Sequence, residues 1–274
     1  MVSGGRHVSF VRGWAYHVWN RDARPLQAMN FDYAASPYAI RDDIGVAHRE
    51  VWAKIREPGC WWRGADRIAF VEEARNARSC EACARRRAAS SPSADCGPHD
   101  TTTDLTDVVV DVVHRLTTDP ARLSKSWLER INARGVTDEQ YVELLGVVVA
   151  AISIDAFHRA LGLPLEPLPT PEAGEPSGYR PAGVADSGAW VPIVHWEAAG
   201  EQEADLFGAG RPGNVIAAMS LVPDSVRLLL TLSAVHYLPL ARVRTLEDSE
   251  DRAISRRQIE LLAGRVSALS DCFY

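Results

Sequence analysis

Lysine is nearly missing from this chain of 274 residues: Lys54 and Lys125 are the only two among 30 lysines and arginines. With its heavy alanine content, that balance reads as the coding bias of a GC-rich bacterial genome, and it speaks to origin rather than activity. Positive charge is not in excess. The net charge of −6 opposes binding to nucleic acid or to an anionic membrane surface. No apolar run reaches the roughly 18 residues of a membrane span; the longest near-continuous one is Leu144 to Ile154. The first twenty residues are broken by Arg6, His7, Arg12 and His17 and hold no signal-peptide core. Cysteine is scarce, and five is an odd count, so no disulfide framework is expected and a reducing cytoplasm is the default compartment. No glycine-rich nucleotide fingerprint occurs, which argues against a bound NAD or flavin.

What is present is helical pattern. Residues 1–43 read as irregular, and Met29 opens MNFDYAAS like a natural start, so residues 1–28 are read as an upstream extension of the true chain. In residues 44–162, Ile44, Ala47, Val51 and Ile55 make one stripe. Ile68, Val71 and Ala74 begin a second; Leu105, Val108, Val109, Val112, Val113 and Leu116 make a third. Thr137 and Gln140 form a capping box ahead of a long apolar helix running to Leu161, suited to the centre of a bundle. Residues 163–213 carry eight prolines among glycines and read as an extended linker. Its apolar patch of Trp190, Val191, Ile193, Val194 and Trp196 is expected to dock on a domain face or a neighbouring subunit. Residues 214–274 return to helix, from about Pro223 to Arg244 and again from the capping box Ser255/Gln258. That last pattern reads as ending mid-element.

The informative local motif is Cys80-x-x-Cys83. Two cysteines three apart share a helical face and can close a disulfide or hold one metal. Ser79 is the predicted N-cap, which places both thiols at a positive helix end. Arg75, Arg78 and Arg85 to Arg87 add positive charge, and both effects favour thiolate. A second reading joins the pair to Cys96 and His99, so that Cys80, Cys83, Cys96 and His99 hold structural zinc. A third leaves the module without chemistry, as an oligomerisation element.

The C-terminal run from Arg257 to Tyr274 resembles the reactive segment of the alkylhydroperoxidase D/carboxymuconolactone decarboxylase family. That family's motif is Glu-x11-Cys-x-x-Cys-x3-His, and Glu260 stands twelve positions before Cys272. The N-terminal half is similar to a second, diverged copy: Gly64 to Phe70 leads into Cys80 and Cys83, and Thr117 to Pro120, Gly135 to Glu139 and the helix around Glu143 follow. This copy has Ile68 where the family has its glutamate and Arg87 where it has its histidine; Glu72 and Glu73 are the nearest acids. The ending Cys272-Phe273-Tyr274 looks like the branch of alkylhydroperoxidase-related (seleno)proteins, in which the next residue is cysteine or selenocysteine. On that resemblance the chain is read as truncated at a selenocysteine codon.

The resemblance implies an all-α fold of two alkylhydroperoxidase D-like modules joined by the proline-rich linker, commonly oligomeric. It implies an antioxidant peroxidase, with peroxiredoxin activity on hydroperoxides. Cys83 or the residue after Tyr274 would attack, Cys80 or Cys272 would resolve, and Glu260 would relay protons. A dithiol donor such as a lipoyl protein would regenerate the pair. His114, His158, His195 and His236 are read as helix or aromatic-neighbour residues without catalytic roles. Trp61 and Trp62 are read as a corner anchor, Arg85 to Arg87 as a solvated face, and Glu247 to Asp251 as a loop.

Overall fold

The computed structural model describes residues 31–207, 210–243, 245–248, 251–270 and 272; expectations about residues 1–28 and about Phe273 and Tyr274 lie outside them. Among the described residues the chain forms ten α-helices and one two-stranded ribbon, an all-α architecture.

Helix α1 (Asp42–Arg56) buries its expected stripe, with Trp52 and His48 added to it. Its acidic first turn and basic last turn suit the helix dipole. Helix α2 (Gly64–Asn76) starts where no side chain fits, since a Cβ on Gly64 would sit 2.3 Å from the Arg56 carbonyl oxygen. Helix α3 (Glu81–Ala88) is short and carries the second thiol. Helix α4 (Asp107–Thr118) buries the valine stripe, and α5 (Lys125–Ala133) is capped by Ser124. Helix α6 (Asp138–Ala160) starts at the predicted Thr137/Gln140 box.

Helix α6 is long and apolar enough, by length and composition, to cross a membrane, although its near-continuous apolar run is only Leu144 to Ile154. It is the central core helix, and 67% of its apolar window is buried inside the fold. Helices α1, α2 and α4 pack around it.

The proline-rich segment is extended, as its composition dictates, but it is bound along its length. Glu172 N–H donates to the Arg56 carbonyl (2.8 Å), Gly178 N–H to that of Cys60 (2.8 Å), and the Trp52 indole to that of Pro167 (3.0 Å). Strands β1 (Val184–Ala185) and β2 (Ile193–Val194) pair antiparallel. Val191 and Val194 join the main core, so this part of the apolar patch docks on the chain's own helices.

Helix α7 (Asn214–Met219) leads to α8 (Pro223–His236), which packs on α6 and α1 within that same core. The two helices approach closely at Gly146, where a Cβ would meet Ser225 Oγ at 2.5 Å. Helix α8 ends at His236 rather than near Arg244; Pro239 cannot continue it, and α9 (Leu240–Val243) follows separately. Helix α10 (Arg256–Leu269) has the predicted Ser255/Gln258 box, and Leu261, Leu262, Val266 and Leu269 on it are exposed.

Candidate thiol and metal centre

Four elements converge beside α6. The end of α2 supplies Glu73, the start of α3 supplies Cys80 and Cys83, the loop before α4 supplies His99, and α4 supplies Asp111 and His114. Cys80 itself, rather than Ser79, is the N-cap residue of α3; the Ser79 hydroxyl turns back to the Asn76 carbonyl at 3.0 Å. Both thiols therefore lie at the positive end of the helix, as the motif requires.

His99 Nδ1 lies 3.6 Å from Cys80 Sγ and 3.5 Å from Cys83 Sγ. His114 Nδ1 lies 3.4 Å from Cys83 Sγ. The four ligating atoms are all within 4.8 Å of one another. Each imidazole uses its other nitrogen to donate to a carboxylate: His99 Nε2 to Asp111 at 3.0 Å and His114 Nε2 to Glu73 at 2.9 Å. The carboxylates are fixed in turn. Asp111 accepts from Arg115 Nε (2.9 Å) and from the Trp127 indole (3.3 Å). Glu73 Oε1 accepts from the Thr101 and Thr103 hydroxyls (2.6 and 2.8 Å) and from the Thr102 and Thr103 amides (2.9 and 3.0 Å).

The electrostatics follow from this wiring. Burial alone pushes the Cys83 thiol up, but the hydrogen bonds from His114 and His99 outweigh it and bring the pKa down to about 5. Burial works against a charged His99, while Asp111 and the two sulfurs hold it up at about 10. His114 is raised as well: burial opposes its charge, and Cys83 and Glu73 overcome that. Burial opposes ionised Glu73 too, yet Thr101, His114 and Asn76 take its pKa down to about 2. In the metal-free protein the centre is thus a buried thiolate–imidazolium array between two carboxylates.

The arrangement departs from the sequence reading in several places. Cys96 stands outside the four-atom group and turns its Sγ to the Ala94 carbonyl at 3.5 Å, and His114 takes its place beside His99. His114, read as an ordinary helix residue, is fully buried and touches Cys83. The signal was a histidine on the buried face of a valine helix, together with a glutamate on the buried face of α2. Arg86 is buried and lies 3.8 Å from Asp111, so the arginine run is only partly solvated. Glu260 and Cys272 are elsewhere. Glu260 accepts from the Tyr237 hydroxyl and pairs with Arg256 at 2.6 Å, and Cys272 is exposed. The corner role of Trp62 fits its indole bond to Gln140 (2.9 Å) and its edge on Phe70. A cavity of about 330 Å³ opens against the His99–Asp111 side of the centre, walled by Trp127, Arg115, Arg130 and Arg134.

No protein-family profile, curated protein or solved structure matches the chain.

Proposed function

We propose that the chain is a thiol-dependent oxidoreductase that reduces hydroperoxides through Cys80 and Cys83. The observation that carries this reading is the buried line Glu73–His114–Cys83, a carboxylate, an imidazole and a sulfur at 2.9 and 3.4 Å. A nucleophile needs an adjacent base and a group that orients that base, and this line supplies both. It also supplies what the sequence motif lacked, since Glu73 and His114 stand in for the acid and histidine missing at Ile68 and Arg87.

The Cys83 thiolate attacks the peroxide O–O bond, giving the sulfenic acid, while the departing alkoxide takes a proton from imidazolium and leaves as alcohol. The Cys80 thiolate then attacks the Cys83 sulfur, the S–S bond forms, and hydroxide leaves with a proton as water. A dithiol donor, a lipoyl protein in the family that the sequence resembles, returns two electrons and two protons. In this reading the chain combines two alkylhydroperoxidase D-like modules in a bacterial cytoplasmic oligomer. Glu260 and Cys272 then belong to the second copy.

The test is consumption of cumene hydroperoxide by the reduced, metal-free chain with dithiothreitol as donor. Cys83→Ser is expected to abolish turnover, and Cys80→Ser, mixed with the hydroperoxide after the donor is removed, to stop after one equivalent with a sulfenic acid on Cys83. Turnover that survives Cys83→Ser removes the assignment.

A further inference from the structure

The fourth side chain of the cluster is not used by the redox scheme. His99 faces both sulfurs, and a dithiol relay needs only one imidazole. We propose that reduced Cys80 and Cys83, with His99 and His114, bind one zinc ion in a closed tetrahedral site.

Geometry carries the inference. Zinc holds thiolate sulfur at about 2.3 Å and imidazole nitrogen at about 2.0–2.1 Å, so a tetrahedral S–Zn–N edge spans about 3.5 Å. Three of the four sulfur–nitrogen separations here are 3.4, 3.5 and 3.6 Å, and the fourth, Cys80 to His114, lies within 4.8 Å. Ligand orientation agrees with that distance match. Both histidines turn Nδ1 toward the sulfurs and anchor Nε2 on a carboxylate, which fixes the tautomer a metal needs and makes the imidazole a better donor. Burial agrees as well: Cys80, Cys83 and His114 are 2%, 1% and 0% exposed. Two thiolates neutralise a divalent cation, so the loaded centre carries no net charge from ion and ligands and is tolerable in that interior. Sulfur and imidazole donors select zinc over calcium or magnesium. Four protein ligands leave no open position, so this zinc holds α3 and the His99 loop to α4 and does not polarise a substrate.

The site goes beyond the peroxidase reading and is tested apart from it. Where both hold, zinc and disulfide exclude each other. The two bound thiolates give two electrons to form the S–S bond, the hydroperoxide takes them with two protons to become alcohol and water, and the ion leaves.

The experiment uses the full reduced chain, stripped of metal and titrated with cobalt(II) alone and then with zinc alone. The expected result is one cobalt per chain, with intense visible bands of tetrahedral geometry and thiolate-to-cobalt charge transfer, discharged by one equivalent of zinc. Cys96→Ala should leave these bands unchanged, and His114→Gln should weaken binding at least tenfold. A pale octahedral spectrum without charge transfer overturns the proposal, and this readout on the unmodified chain needs no variant to fold. Bands lost in Cys96→Ala and kept in His114→Gln overturn the ligand set. A tetrahedral cobalt site in a chain that consumes no peroxide sinks the enzymatic reading and leaves the metal site standing.

Discussion

Glu73 and His114 are joined by a 2.9 Å hydrogen bond in which both side chains are wholly buried. A carboxylate in that position must be matched on every lone pair. Glu73 is: beyond His114, its oxygens receive hydroxyls and amides from Thr101, Thr102 and Thr103 and the amide group of Asn76 at 3.1 Å. It therefore ties α2, the loop before α4, and α4 together while it sets the tautomer facing Cys83.

Replacing it separates these jobs. Glu73→Ala leaves several buried donors unpaired and is expected to destabilise the fold by about 2–4 kcal/mol in urea unfolding. Glu73→Gln keeps the shape, loses the charge, and should slow peroxide reduction while weakening cobalt binding by about 10–100-fold. A Glu73→Gln chain with unchanged metal affinity and unchanged turnover contradicts both roles.

The Cys83 sulfur should behave as a thiolate well below neutral pH. In the metal-free chain its ultraviolet thiolate absorbance is expected to titrate with a midpoint near pH 5, because the two imidazole hydrogen bonds outweigh the cost of burial. The Cys83→Ser chain should lack that step. A first thiolate step near the ordinary pKa of about 8.5 contradicts the wiring.

Away from the centre, the Tyr33–His48–His236 cluster is expected to make the fold acid-sensitive. His48 Nε2 lies 2.7 Å from His236 Nε2, and its Nδ1 bonds the Tyr33 hydroxyl. Burial first, then the neighbouring His236 and His158, push its pKa from 6.5 down to about 3. The unfolded chain thus binds the extra proton first as pH falls. The stabilisation is complete above about pH 6.5 and is lost progressively toward about pH 3. Between pH 6.5 and 5 this one group should cost about 2 kcal/mol. Urea midpoints measured across that range should fall, and His48→Asn should flatten the fall; a midpoint independent of pH contradicts the assignment.

The contact of α6 with α8 rests on a missing side chain. A Cβ on Gly146 would stand 2.5 Å from Ser225 Oγ and 3.0 Å from its Cα. Ser225 is itself held by its bond to the Val142 carbonyl at 3.1 Å. Gly146→Ala gains about 1 kcal/mol in helix propensity and loses more to overpacking, for a net loss of about 1–2 kcal/mol in equilibrium unfolding. A stabilised Gly146→Ala chain contradicts this packing.

How much of this was readable in advance follows from the range of each signal. The stripes of α1 and α4 and the boxes at Thr137 and Ser255 are local, and they stand where the spacing put them. The thiol pair was equally plain. The partners of that pair were not, because His114 and Glu73 reach Cys83 only through the packing of α4 and α2 beside α3, which spacing does not encode. Cys96 had the better sequence spacing for a ligand and lost its place to a residue far along the chain. In the same way, composition could mark residues 163–213 as extended but not show Val191 and Val194 entering the core.

In the proposed function Cys80 and Cys83 exchange electrons with a hydroperoxide. Its most direct test mixes the reduced, metal-free chain with one equivalent of cumene hydroperoxide, quenches with an alkylating agent, and maps all cysteine peptides by mass spectrometry. The expected products are one Cys80–Cys83 disulfide and one equivalent of cumyl alcohol, with Cys60 and Cys96 alkylated as free thiols after denaturation. Free thiols at Cys80 and Cys83 with the hydroperoxide intact, or oxidation confined to exposed Cys272, would contradict it.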